Sequence, residues 1–144
     1  MLYTKKPFPG LLRLLESQDI LIAGDSITSI FNIIAAGANT TPKTEQHPHF
    51  EAMKQCGGVI KIFELFQKNE NKFTKNREAL CISRLFRAKE MDKTMRKGII
   101  SHLKILAYEK DAWLCENSKS ALKQLAQNAA NRSEIEKDGF VIPE

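Results

Sequence analysis

The eight residues VIKIFELF at positions 59–66 decide how this chain is read. Apolar side chains recur there three and four apart, the spacing that gathers them on one face of a helix. Gly57 and Gly58 stand at its entrance, preceded by the short stretch HFEAMKQC (49–56). Working outward, FPGLLRLL (8–15) and IISHLKIL (99–106) carry the same pattern. A second apolar phrase follows each of them: SIFNIIA (29–35), CISRLFR (81–87) and ALKQLAQ (121–127). From Leu15 to Phe66 is 51 residues and from Phe66 to Leu106 is 40; the second phrase gives 52 and 40 from Asn32 through Arg84 to Gln124. The 12-residue surplus in the first interval has a source in GANTTPKTEQHP (37–48), which is turn and loop chemistry without a later counterpart. Without it the period is about 40 throughout, in the range of two- and three-helix repeats.

Each unit is expected to hold three helices. A short one ends at a glycine (HFEAMKQC, EMDKTMRK, NRSEIEKD), a second carries the first phrase, and a longer third carries the other. Gly57/Gly58, Gly98 and Gly139 sit where each short helix is expected to end and the chain to turn. Asn131 with Glu134 resembles a capping box, and Asp111 is placed to cap the last long helix. No strand alternation or hairpin signal competes, so the expected fold class is all-α. The expected organisation is one repeat domain over 1–144, with units at about 7–39, 49–89 and 90–130 and the inserted loop at 37–48. Residues 131–144 then read as the start of a further unit, with FVIP (140–143) opening its second helix.

FPGLLRLLESQD (8–19) and ITSIFNIIAAGAN (27–39) resemble the second and third helices of the armadillo repeat, with Pro9, Asp19 and Asn32 in matching places. The later units keep the apolar positions and glycines but not the proline. That resemblance implies a right-handed superhelical solenoid of about three armadillo-type repeats, whose third helices line a concave groove. In importin-α and β-catenin relatives the groove binds extended peptides through an Asn on each third helix. A side-chain amide both donates and accepts, so it can pair with a peptide unit's N–H and C=O together. Carried over position by position, the Asn site holds Asn32, then Arg84, then Gln124. One turn earlier, where importin-like arrays place Trp, stand Thr28, Leu80 and Ser120; one turn further back are Asp25, Arg77 and Asn117. The expected peptide-binding groove is therefore Asn32, Arg84, Gln124, Thr28, Arg77, Asn117 and Ser120. With arginines at its centre, it suits a neutral or acidic ligand rather than a lysine-rich one. Trp113 opens a third helix and is expected in the core or at the rim.

Charge supports the same emphasis on the middle of the chain. Residues 54–104 carry thirteen Lys/Arg against five acids, whereas 1–53 carry four against five and 105–144 five against seven. Such a surface attracts an acidic partner. Nucleic acid is the alternative partner, along an edge of Lys61, Lys68, Lys72, Lys75 and Arg77. Phe63, Phe66, Phe73 and Phe86 mostly fall at core spacing there and are expected to offer no stacking platform.

Enzymatic chemistry is not expected: phosphate loops, nucleophile elbows and HExxH are absent from the sequence. His47, His49 and Glu51 provide too few fixed ligands for a metal, and His102 reads as a half-buried histidine. Neither a cofactor nor a metal is expected. Three widely spaced cysteines (Cys56, Cys81, Cys115) read as reduced thiols in an intracellular, cytoplasmic or nuclear, protein. Prolines interrupt the start, MLYTKKPFPG, which does not read as a leader, and no run of 18 apolar residues suggests a membrane span. The function that follows is a protein-interaction module or scaffold. The alternatives are nucleic-acid or acidic-surface binding through the middle repeat, or a spacer within a longer array. Leu122 and Leu125 are expected to remain partly uncovered at the end of the stack and to drive end-to-end self-association.

Overall fold

The computed structural model describes residues 7–69 and 71–144; Lys5 and Lys6, at the start considered for a leader, lie outside them. The described residues form eight α-helices and no strand: α1 (Phe8–Leu15), α2 (Ile20–Ala38), α3 (Phe50–Gln55), α4 (Gly58–Lys68), α5 (Lys72–Leu85), α6 (Lys93–Leu106), α7 (Ala112–Leu125) and α8 (Ala129–Ile135). A 3₁₀ turn, Lys137–Gly139, follows α8. The all-α expectation holds, and α1, α4 and α6 coincide with the first phrase of each unit while α2, α5 and α7 coincide with the second.

Local chemistry sets most of the boundaries. Asp19, Asn71, Asp92, Asp111 and Asn128 each stand in extended backbone just before a helix, and each side chain accepts a first-turn N–H. A cap of this kind contributes about 1 kcal/mol by satisfying an otherwise orphaned donor. Gly57 is left-handed at φ 75°, which lets the chain reverse between α3 and α4. A Cβ on Gly58 would strike the Met53 sulfur, so both glycines are needed for the tight approach of α3 to α4.

Packing centres on α5, which touches α2, α4, α6 and α7. Its second half is consequently buried nearly all round: Ala79, Leu80, Cys81, Ile82, Ser83 and Leu85 are all inaccessible to solvent. A helix enclosed on every side needs no polar stripe. The layer α2–α5–α7 is backed by α1 against both α2 and α4 and by α6 against both α5 and α7. Ile27, Ile30, Ile34, Ile62, Leu103, Leu122 and Leu125 meet in one core cluster.

Four expectations change. Gly98 does not end a short helix, because α6 starts at its Asp92 cap and runs straight through to Leu106. There a Cβ would meet Phe63 and Phe66 at ordinary contact distances of 3.7 and 3.9 Å, so packing does not require the glycine. Asn128, not Asn131, caps α8. Asn131 is buried, accepting from Met91 N–H at 3.2 Å and donating to Lys89 C=O at 2.8 Å, so it fastens the α5–α6 connection. Residues 140–144 do not open a helix. Phe140 meets Tyr108 edge-on, Ile142 packs on the core, and Lys119 Nζ donates to Glu144 C=O at 2.9 Å. Leu122 and Leu125 are wholly buried, so they do not supply the uncovered face from which self-association was expected.

One further correction concerns α2. It contains an 18-residue window of mean hydropathy 1.6, and is the one described helix long and apolar enough to cross a membrane. Its position accounts for that composition: α2 is wedged between α1 and α5, with Ile27, Ile30 and Ile34 fully buried.

Candidate interaction cleft

The 39–49 segment lacks a repeat counterpart, yet it is firmly held. Arg87, at the end of α5, is 1% exposed and donates to Glu45 C=O at 2.7 Å, Ala38 C=O at 2.9 Å, Thr41 Oγ1 at 2.6 Å and Gln46 C=O at 3.4 Å. The planar guanidinium fork can serve several acceptors at once, which an ammonium cannot. At the far end of the segment His47 uses both ring nitrogens. Nε2 donates to Ile34 C=O at 2.8 Å and Nδ1 accepts from His49 N–H at 3.0 Å. Burial pushes His47 down to about 4, against the hydrogen bond to Ile34, and it is neutral at pH 7. With both nitrogens engaged, His47 has no lone pair for a metal.

This fixed segment closes one end of an open cleft of about 250 Å³ lying across the α2–α5–α7 layer. Phe31 and Ala35 form the α2 wall, Arg84 rises from α5 and Arg87 from just past its end, and Asn117, Ser120 and Gln124 come from α7. Lys43 reaches in from the 39–49 segment. Four of the sequence-derived groove residues, Arg84, Asn117, Ser120 and Gln124, thus share one cleft. Arg84 is half-buried and donates to Asn117 Oδ1 at 3.0 Å, while Asn117 Nδ2 donates back to Trp113 C=O at 2.9 Å. The Gln124 Oε1 atom is buried without a hydrogen-bond partner among the described residues. Desolvation lowers the Arg84 pKa and the neighbouring Arg87 charge lowers it further.

The other three groove residues lie elsewhere. Asn32 is exposed on α2, and Phe31 beside it takes the cleft-lining place. Thr28 turns its hydroxyl back to Gly24 C=O at 2.8 Å. Arg77, two turns before Arg84 on α5, stacks 3.6 Å from the Phe73 ring centroid and 4.6 Å from that of Trp113. Burial is the larger influence on it and lowers its pKa, with Asp111 acting against this as counter-charge. Trp113 is a rim residue, 40% exposed, with Phe31 edge-on at 5.3 Å. Phe73 departs from its expected core position at 48% exposed. One face of its ring is covered by Arg77, and the ring lies against Gly24.

Among the residues that sequence reasoning missed are Lys43, Arg87 and Phe31. Lys43 and Arg87 are brought together by a contact spanning more than 40 residues, which no local pattern announces. Elsewhere, His102 meets Asn76 Oδ1 at 2.8 Å and the Phe66 ring edge-on, as a half-buried structural histidine does. No family model, no curated protein and no solved structure matches this chain.

Proposed function

We propose that the chain is a protein-interaction module, a short armadillo-type array that holds an extended peptide in the cleft across α2, α5 and α7. What carries the reading is the convergence of Arg84, Asn117, Ser120 and Gln124 from two neighbouring helices into one open polar cleft. Side-chain amides there can pair with a strand-like backbone, and the Phe31–Trp113 pair gives an apolar shoulder for a side chain. The succession of α2 on α5 and α5 on α7, with α1 on α4 behind, supports a stacked-repeat arrangement. Free thiols at Cys56, Cys81 and Cys115 fit an intracellular setting.

Selection from a random extended-peptide library tests this directly. Wild-type protein should enrich a sequence class, and an Asn117→Ala/Gln124→Ala double variant with unchanged circular dichroism should lose it. Equal enrichment by both proteins would remove the cleft from the binding surface.

A further inference from the structure

The cleft has a charge composition unlike that of the rest of the molecule. Three cations border it, Lys43, Arg84 and Arg87, and among the described residues no Asp or Glu lines it. Elsewhere several cations are balanced locally: Lys61 pairs with Glu16 at 2.6 Å and Lys137 with Glu134 at 2.5 Å. Others spread their charge over aromatic faces, as Lys75 does on Phe66, Lys89 on Phe50 and Lys104 on Phe140. Arg84 does neither. Its single acceptor among the described residues is the neutral Asn117 amide, and the charge acting on it is the like charge of Arg87. A half-buried cation with a like-charged neighbour and no counter-ion is costly. Arg87 cannot turn to meet a ligand, because its donors are already committed to Ala38, Thr41, Glu45 and Gln46. Arg84 retains donors beyond the one on Asn117, and Lys43 makes no ion pair among the described residues.

A second observation narrows the ligand further. Gln124 Oε1 is buried at the cleft without a donor. A bare anion does not supply one, but a peptide N–H beside an anionic side chain does.

We propose that this cleft is an oxyanion site, in which Arg84 and Lys43 grip a carboxylate or phosphoryl group carried by an extended peptide while Gln124 accepts a neighbouring N–H. This rests on the peptide-groove reading and specifies its ligand. A planar guanidinium presents paired N–H donors matched to two oxygens of a carboxylate or phosphate. The lysine adds a movable point charge from the other side. Arg87 contributes field without contact, as a fixed charge at the back of the cleft.

Trp113 is the chain's one tryptophan and packs edge-on against Phe31 of the cleft wall, so its fluorescence reports occupancy. The probes are heptapeptide amides of alanine with Asp, phosphoserine or Asn at the centre, inorganic phosphate alone, and a single-stranded dT oligonucleotide. The Asp or phosphoserine peptide is expected to bind about tenfold or more tightly than the Asn peptide, the usual scale for a charge-assisted hydrogen bond. Arg84→Gln should abolish that preference, and Lys43→Ala, at an exposed site, should reduce it several-fold. Which of the two anionic peptides binds tighter identifies the source of the oxyanion. Equal binding of Asp, phosphoserine and Asn peptides would overturn the oxyanion site and leave the peptide groove standing. Phosphate binding that Arg84→Gln abolishes, with no peptide binding, would keep the anion site and sink the groove. Tighter binding of the oligonucleotide than of either anionic peptide, lost in Arg84→Gln, would refute the peptide source.

Discussion

Replacing Arg87 by Met is the sharpest test of how the irregular 39–49 segment is held. The substitution keeps most of the buried stem and removes the guanidinium. Three short hydrogen bonds disappear, to Thr41 Oγ1 at 2.6 Å, Glu45 C=O at 2.7 Å and Ala38 C=O at 2.9 Å, with a longer one to Gln46 C=O at 3.4 Å. A buried acceptor left without a partner costs about 1–3 kcal/mol. Because Glu45 and Gln46 lie on an exposed segment and can turn to water, about 1 kcal/mol for each short bond is the appropriate scale. Against this, the variant relieves the repulsion on Arg84 and no longer buries a charge, which returns about 1 kcal/mol. The net loss is therefore about 2–3 kcal/mol, a large part of the roughly 5–15 kcal/mol that holds a domain together. In a urea titration with a slope of about 2 kcal/mol/M, the midpoint should fall by about 1–1.5 M. Amide hydrogen exchange should accelerate across 38–49 before anywhere else in the molecule. Arg87→Lys should recover less than half of the loss, since one ammonium cannot reach acceptors in several directions. A midpoint shift below about 0.3 M for Arg87→Met would refute the reasoning, because the four bonds would then contribute nothing net.

Two glycines should respond in opposite directions to alanine. At Gly37 a Cβ would lie 2.5 Å from the His49 ring and 3.3 Å from that of His47, so Gly37→Ala should cost about 1–3 kcal/mol in denaturant titration. At Gly98, inside α6 with its nearest neighbour 3.7 Å away, Gly98→Ala should gain about 0.5–1 kcal/mol. Ala88 is left-handed at φ 54°, and Ala88→Gly should raise the thermal midpoint by relieving about 1 kcal/mol of strain. Stability against pH should separate two buried groups. Burial lowers His47 from 6.5 to about 4, so unfolded chains bind more protons between those values and stability falls as pH drops through the window. Burial, opposed by the Asn69 hydrogen bond, raises Glu78 from 4.5 to about 7, so its contribution is full below 4.5 and lost as pH rises to 7. These two oppose each other between about pH 5 and 6.5, but burial also lowers His49 and His102, so wild-type stability should rise with pH there. Glu78→Gln should steepen that rise by up to about 1.4 kcal/mol per unit, and an unchanged slope would mean that Glu78 is not desolvated.

The parts of the fold that were legible in the sequence are those governed by local chemistry. The three- and four-residue spacing of Val59, Ile62 and Phe66 puts them together on the buried face of α4. Asp111 caps α7 because an extended Asp ahead of a helix is a local motif. Gly98 misleads because a glycine signals freedom, not its use: with Asp92 already capping α6, nothing requires a turn there. Asn131 misleads for a related reason. Both it and Asn128 are plausible caps, and the choice is made by burial against Met91 and Lys89, 40 and 42 residues away. In the cleft, Arg84, Asn117 and Gln124 follow from helical register. Asn32 misses by one position, and Phe31 lines the wall instead. Lys43 was invisible because a segment with no repeat counterpart has no register from which to predict its neighbours, and Arg87, although inside a repeat phrase, because its partners lie in that segment.

Arg84 and Arg87 stand three residues apart at the end of α5 and border the same cleft, yet their situations differ. Arg87 has exchanged hydration for four fixed acceptors, whereas Arg84 has Asn117 alone. A side chain kept for folding should cost stability when removed, and one kept for a ligand should not. Arg84→Gln removes a half-buried charge and its repulsion with Arg87, at the loss of one hydrogen bond. In the ligand-free protein it should leave the urea midpoint unchanged or raise it by up to about 0.5 M. The wild type should then gain more than the variant from an oxyanion ligand, by about 2.7 kcal/mol at a hundredfold excess over Kd. Measuring both proteins with and without ligand gives the sign of each effect separately. A loss above about 2 kcal/mol in ligand-free Arg84→Gln would mark this arginine as a second brace of the fold, because an uncompensated cation cannot be what stabilises its own surroundings.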